Sequence, residues 1–150
     1  MRGTSSRRTA REWVVQMLFE LDLNPKPLED LFEEFWKDRD ADPETESFAC
    51  RTVSGIMMNR DKIDGIILEN TDNWAPKRMG VVDRNVIRMA VYEMLFCFDI
   101  PPVVSINEAV DIAKYFSAKE SGRFVNGVLD KIRKGLNRPA RKAGKVGDGA

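Results

Sequence analysis

Apolar residues recur every three to four positions along most of the chain, which is the spacing of one face of an α-helix. The first half of the chain has successive stripes of this kind, formed by Ala10, Val14, Met17, Leu18 and Leu21, then by Leu28, Leu31, Phe32 and Phe35, then by Phe48, Ala49, Val53 and Ile56, and then by Ile63, Ile66 and Ile67. Phe19 lies off the first stripe. No run of more than a few residues alternates apolar and polar positions, so we expect essentially no β-strands.

The second half of the chain begins with a segment that is apolar nearly all round, from Asp83 to Asp99. A helix of that composition belongs in the centre of a fold. Two further stripes follow, formed by Ile106, Ala109, Val110 and Ala113, and by Val125, Val128, Leu129 and Ile132. The pattern therefore predicts an all-α protein of about seven helices.

Helix ends are indicated by capping residues and by proline. Capping boxes, in which Ser or Thr and a Glu three residues later bond each other's backbone N–H groups, occur at residues 9–12, 105–108 and 117–120. Each box predicts a helix start. Pro25 should end the first helix near Asn24, and Gly135 should close the last.

The dipeptide Asn126-Gly127 conflicts with the helical pattern around it. Asn-Gly is a strong signal for a β-hairpin, yet it lies within the last apolar stripe. In a helix, Gly127 costs about 1 kcal/mol relative to Ala. We expect a helix here, with the missing side chain allowing a neighbouring helix to approach closely.

The charges divide the chain into regions. Lys and Arg together number 24, as do Asp and Glu, so the net charge is zero and does not indicate a partner. Residues 1–8 and 137–150 are basic and lack apolar periodicity. We predict a basic N-terminal arm at 1–8, a single all-helical domain at 9–136 and a basic, disordered tail at 137–150.

Candidates for catalysis or metal binding are scarce. The chain has no histidine, which removes the commonest general base, and its two cysteines lie in helical patterns without metal-ligand spacing. We expect no enzymatic activity, cofactor or metal. No apolar run approaches the length of a membrane span and no signal peptide is evident, so the expected location is the cytoplasm.

Several blocks of the sequence resemble the NusB transcription antitermination factors. They are Arg7-Arg8-Thr-Ala-Arg11-Glu12 with Gln16 and Phe19, Val82-Asp83-Arg84 with the eight residues up to Glu93, Ile106 to Ala109 with Ala113-Lys114, and Arg123-Phe-Val-Asn-Gly-Val-Leu-Asp-Lys131. The resemblance covers roughly residues 7 to 135. It implies a helical fold of two small packed bundles that binds boxA-type single-stranded RNA together with the ribosomal protein NusE. It further implies that the complex joins elongating RNA polymerase and supports ribosomal RNA transcription, without catalysis.

The resemblance also assigns candidate binding residues. The candidates for RNA contacts are Arg7, Arg8, Arg11, Phe19, Phe116, Glu120, Arg123 and Phe124. Aromatic rings stack on unpaired bases, and guanidinium groups pair with phosphates near the positive end of a helix. From the residues alone, the edge of the core is the favoured place for Phe124, and the resemblance reverses that preference. The resemblance places Asp83 and Arg84 against NusE, although Asp83 could simply complement the helix dipole.

Three features depart from the family pattern, and two other functions stay open. One feature is the basic tail at 137–150, which extends past the usual end of the family. Gly122 replaces a polar ring or basic side chain and should weaken one RNA contact, while Phe96-Cys97-Phe98 is unusually apolar and suggests extra burial or self-association. One alternative is the RNA-binding domain of an RNA methyltransferase, which would need a catalytic domain that does not fit after Gly135. The other is a helical adaptor that binds only protein.

Overall fold

The computed structural model of the chain describes residues 6–71 and 79–136. These residues form seven α-helices: α1 (Ser6–Leu23), α2 (Leu28–Trp36), α3 (Pro43–Met58), α4 (Arg60–Glu69), α5 (Val81–Phe96), α6 (Pro102–Phe116) and α7 (Lys119–Gly135). The described ranges contain no strand, so the all-α prediction is confirmed. The chain divides between Met58 and Asn59 into two compact units, α1–α3 and α4–α7, which confirms the expected two bundles. The tail at 137–150, most of the basic arm and the connection around Trp74 lie outside the described residues.

The first unit is built on α1. This helix packs against α3 along its length and against α2 more briefly. Every apolar residue predicted to face inward from α1 and α3 is buried, whereas Leu31 is the buried member of the α2 stripe. Rings of Trp13, Phe35 and Trp36 meet edge to face with centroids 5.0 to 6.4 Å apart, so the short α2 is held largely by aromatic contacts.

The second unit is built around α5, which packs against α4, α6 and α7. Every residue from Asn85 to Met94 except Tyr92 is buried, as the nearly all-round apolar pattern of this helix predicts. Arg88 is also buried, and its Nε and second terminal nitrogen donate to the two carboxylate oxygens of Asp64 in α4 at 2.8 and 2.9 Å. The helix ends at Phe96, whose ring is 40% exposed, and Cys97 and Phe98 are half-buried. The alternative of extra burial is therefore wrong for Phe96.

The predicted helix starts need correction. Thr9 lies inside α1, which begins at Ser6, and α6 begins at Pro102, where the fixed φ of proline favours the first helical turn. Ser105 is thus inside α6, and its hydroxyl donates to the buried carboxylate of Glu93 at 2.6 Å. Before α7, the Ser117 hydroxyl accepts a hydrogen bond from Ser121 at 3.1 Å, and α7 begins at Lys119.

The close packing that was expected at Gly127 of α7 occurs at Gly122 instead. Gly127 is exposed, and a Cβ atom placed there would meet nothing within 4 Å, so the prediction of a close approach at Gly127 is wrong. Gly122 is buried instead. A Cβ atom at Gly122 would lie 2.7 and 2.8 Å from Cγ and Cδ of Lys114. The absent side chain therefore serves the packing of α7 on α6 at Gly122.

Two features of the described residues bear on other functions. None of their helices is both long and apolar enough to cross a membrane. No group of three or more Cys, Asp or Glu side chains in these residues is arranged to hold a metal ion.

Candidate nucleic-acid interface

Arginines at the start of α1 surround an aromatic ring of α3. The guanidinium carbon of Arg7 lies 4.1 Å from the centroid of the Phe48 ring, and that of Arg11 lies 5.5 Å away. Arg7 also pairs with Glu44, with 3.7 Å between nitrogen and oxygen. Because Glu44 opens α3 and is well exposed, its carboxylate competes with any phosphate that approaches Arg7.

The arginines differ in how far they reach solvent. Arg7 and Arg8 are half-buried, whereas only 4% of Arg11 is exposed. A phosphate can therefore reach Arg7 and Arg8 in this conformation, while Arg11 is covered and packs its side chain against Phe48. Sequence reasoning treated these arginines alike because burial of a guanidinium group depends on a neighbour that is distant in the chain.

Phe19 lies on the outer side of α1, as its place off the apolar stripe predicts. Its ring is 42% exposed, and Leu23, one turn further along, is exposed as well. An exposed aromatic ring on a rigid helix is available to stack on a base.

A second group of candidates lies where α6 meets α7. We call residues 114–124 the α6–α7 corner. Only Ser117 and Ala118 separate the two helices, so Phe116 and Glu120 lie on either side of a two-residue link. Glu120 and Arg123 are exposed, and Phe116 and Phe124 are half-buried. The corner thus combines rings, a guanidinium group and the positive end of the α7 dipole.

The position of Phe124 fits both interpretations of its ring, as part of the core edge and as a stacking surface for a base. It is half-buried, next to the fully buried Val125, so part of its ring supports the core and part faces solvent. A ring in that position can be held rigidly by packing while it offers its exposed part to a base.

The corner contains two further side chains that were not among the candidates for RNA contacts, although Lys114 belongs to one of the blocks that resemble the NusB family. The ring of Tyr115 is 75% exposed and meets that of Phe116 edge to face, with centroids 5.0 Å apart. Lys114 is exposed and lies across Gly122. The signal for Tyr115 was its position beside Phe116 at a helix end, whereas that for Lys114 appears only when α6 and α7 are packed together.

The residues predicted to contact NusE lie in the first turn of α5. Asp83 and Arg84 are both half-buried. The Oδ1 atom of Asp83 is enclosed and accepts no hydrogen bond. Burial raises the pKa of the Asp83 carboxyl, and the hydroxyl of Ser121 in α7 partly offsets that increase.

Comparison with known proteins identifies the group to which this chain is related. A family model described as the NusB family matches residues 8–134. The chain belongs to the NusB family.

Individual NusB relatives support the assignment over nearly the whole chain. The transcription antitermination protein NusB of Myxococcus xanthus is 39% identical over 138 residues, with 89% of this chain and 99% of that protein covered. The structure of T. maritima NusB is 41% identical, with a TM-score of 0.78 over 85% of this chain and 90% of that chain.

One similar structure contains partners. A crystal structure of the antitermination factors NusB and NusE in complex with dsRNA is matched with a TM-score of 0.79 and 28% identity. The match covers 87% of this chain and 97% of that chain.

Proposed function

We propose that this protein is a transcription antitermination factor that binds boxA-type single-stranded RNA together with ribosomal protein NusE. The complex joins elongating RNA polymerase in the cytoplasm and supports ribosomal RNA transcription. The protein acts by binding and not by catalysis. The observation that carries the proposal is the match, over 97% of that chain, to a structure of NusB and NusE in complex with dsRNA, which supports RNA and NusE as the two ligands.

The geometry of the α6–α7 corner supports RNA as a ligand. In this proposal unpaired bases stack on Phe116 and Phe124, and the exposed guanidinium group of Arg123 pairs with a phosphate. The exposed carboxylate of Glu120 accepts hydrogen bonds from base or sugar groups, which adds selectivity without general attraction to phosphate.

Residues of α1 and α5 complete the proposed set. Arg7 and Arg8 provide charge for phosphates, and Phe19 provides a further exposed ring. Arg11 acts through its packing on Phe48. Asp83 and Arg84 contact NusE, where a carboxylate suits a basic ribosomal protein.

The proposal is tested by titrating a boxA RNA and a scrambled RNA of equal length at two salt concentrations. We expect tighter binding of the boxA RNA, and affinity that falls as salt rises because phosphates are neutralised. Phe124→Ala should weaken boxA binding by about 1 to 3 kcal/mol while changing the thermal midpoint little.

The matched control is Phe32→Ala, which removes another half-buried phenyl ring, from α2. This variant should keep the RNA affinity of the wild type. If Phe124→Ala loses as much folding free energy as binding free energy, the ring belongs to the core. If the protein binds neither RNA, the protein-only adaptor is the better account.

A further inference from the structure

Lys114 has an unusual position for an exposed lysine. It lies in the last turn of α6, and its Cγ and Cδ atoms occupy the space that a side chain at Gly122 would need. The Val110 Cγ1 atom lies 3.4 Å from the same Cβ position, so the lysine stem runs in a slot between α6 and the α7 backbone. Only two atoms, Cε and Nζ, follow Cδ in the side chain. The ammonium group is therefore held near the turn of α7 that carries Arg123 and Phe124.

The surroundings of this ammonium group favour an anion. It lies at the α6–α7 corner, close to the first turns of α7, where backbone N–H groups make the helix end positive. Arg123 is the next residue after Gly122 and is exposed. A phosphate placed at this corner would meet two cations and the positive end of a helix. Tyr115 and Phe116, whose rings are in contact, directly follow Lys114 in the chain.

We propose that Lys114 is a phosphate-binding residue of the RNA interface, and that Gly122 is required because its missing side chain lets Lys114 lie across α7. This inference rests on the proposed RNA-binding function. Gly122 itself offers no side chain to the RNA, but it makes room for a phosphate contact from Lys114 of α6. The ligand is the backbone of a single-stranded RNA, whose charge Lys114 would read without regard to base sequence.

A purely structural role for Lys114 is the competing explanation. A lysine in the last turn of α6 complements the helix dipole, and its stem covers Gly122. Lys114→Met keeps most of the stem and removes the charge, so it separates the two roles. Packing survives in this variant, whereas a phosphate contact does not.

The experiment measures RNA affinity against salt for Lys114→Met, Gly122→Ala and the double variant of the full chain, with boxA RNA as the probe. Lys114→Met should weaken binding several-fold and make the plot of log affinity against log salt shallower by about 0.7. Gly122→Ala should also weaken binding, because the added methyl group displaces the lysine stem. The double variant should bind no more weakly than Lys114→Met, since both changes remove the same contact.

The control is Lys131→Met, which changes an exposed lysine of α7 that lies about 13 Å along the helix axis from Gly122. It should keep the wild-type affinity and salt dependence. The proposal for Lys114 fails if Lys114→Met has the wild-type RNA affinity and salt dependence while Phe124→Ala still weakens RNA binding. That result would leave the proposed function intact. If the wild type binds no RNA, both proposals fail. Should Gly122→Ala unfold, the comparison of Lys114→Met with Lys131→Met decides alone.

Discussion

The carboxyl group of Asp83 shows how a single buried group makes stability depend on pH. Burial raises its pKa above the ordinary value of 3.8. The folded protein therefore keeps this proton at pH values where the unfolded chain has released it. The free energy of unfolding rises with pH only where the unfolded state binds more protons. At Asp83 the folded state binds more protons, so this group makes the free energy of unfolding fall as pH rises. Its contribution is lost as pH rises from about 3.8 through the raised pKa of the folded state.

Asp83→Asn removes this penalty. We expect the variant and the wild type to have similar free energies of unfolding near pH 3 and the variant to become relatively more stable toward about pH 7. Urea unfolding at several pH values measures the difference.

Asp130→Asn is the control, because Asp130 affects the pH dependence of the free energy of unfolding in the opposite direction. Arg133 and Lys134 hold the pKa of Asp130 below its ordinary value, so its contribution is present above that value and lost as pH falls through the lowered pKa. Asp130→Asn should be less stable than the wild type at neutral pH, and the difference should shrink in acid. If the difference in free energy of unfolding between Asp83→Asn and the wild type does not change with pH, the raised pKa of Asp83 is contradicted.

At the same scale, sequence reasoning placed apolar residues better than charged ones. The stripes of α1 and α3 are buried as predicted, because the 3.6-residue period alone decides which side chains share a face. Arg11 lies on the same helix but is covered through its contact with Phe48, which is distant in the chain. A local pattern carries no information about such a contact.

For the helices, the presence of each one was easier to predict than the residue at which it begins. Each predicted helix is present, but the capping boxes at Thr9 and Ser105 lie inside α1 and α6. Ser105 instead satisfies the buried Glu93, a need that arises only once α5 and α6 pack together. At the start of α3, which carries no box, the Asp42 carboxylate accepts from the Thr45 N–H at 2.7 Å. Short polar side chains have several possible partners, and tertiary packing selects among them.

The two glycines of α7 give a prediction at this scale. Gly127→Ala should stabilise the protein by up to about 1 kcal/mol, because Ala is the better helix former and its methyl group would meet nothing within 4 Å. Thermal or urea unfolding measures the gain. Gly122→Ala is the matched control, with the same change in helix propensity but a Cβ 2.7 Å from Lys114. It should show no gain, and equal stabilisation of both variants would contradict the packing described for Gly122.

For the whole molecule, the resemblance and the physics of the residues contributed different things. Periodicity predicted the helices, but neither RNA nor NusE follows from it. The family match to residues 8–134 agrees with the span of resemblance seen in the sequence, from about 7 to 135. Individual contacts are a finer matter, since Lys114 became a candidate only through the packing of α6 on α7.

The last prediction concerns the two proposed ligands together. If RNA and NusE bind one protein molecule as neighbours, the basic ribosomal protein adds its own attraction to the phosphates, so each ligand should strengthen binding of the other. Linkage requires the two effects to be equal, and typical couplings correspond to about 5-fold to 150-fold in affinity. The test titrates boxA RNA with and without saturating NusE, and NusE with and without saturating RNA. Phe124→Ala should bind RNA more weakly in both arms yet keep the wild-type affinity for NusE alone. Identical dissociation constants with and without the second ligand would mean that the protein binds them independently.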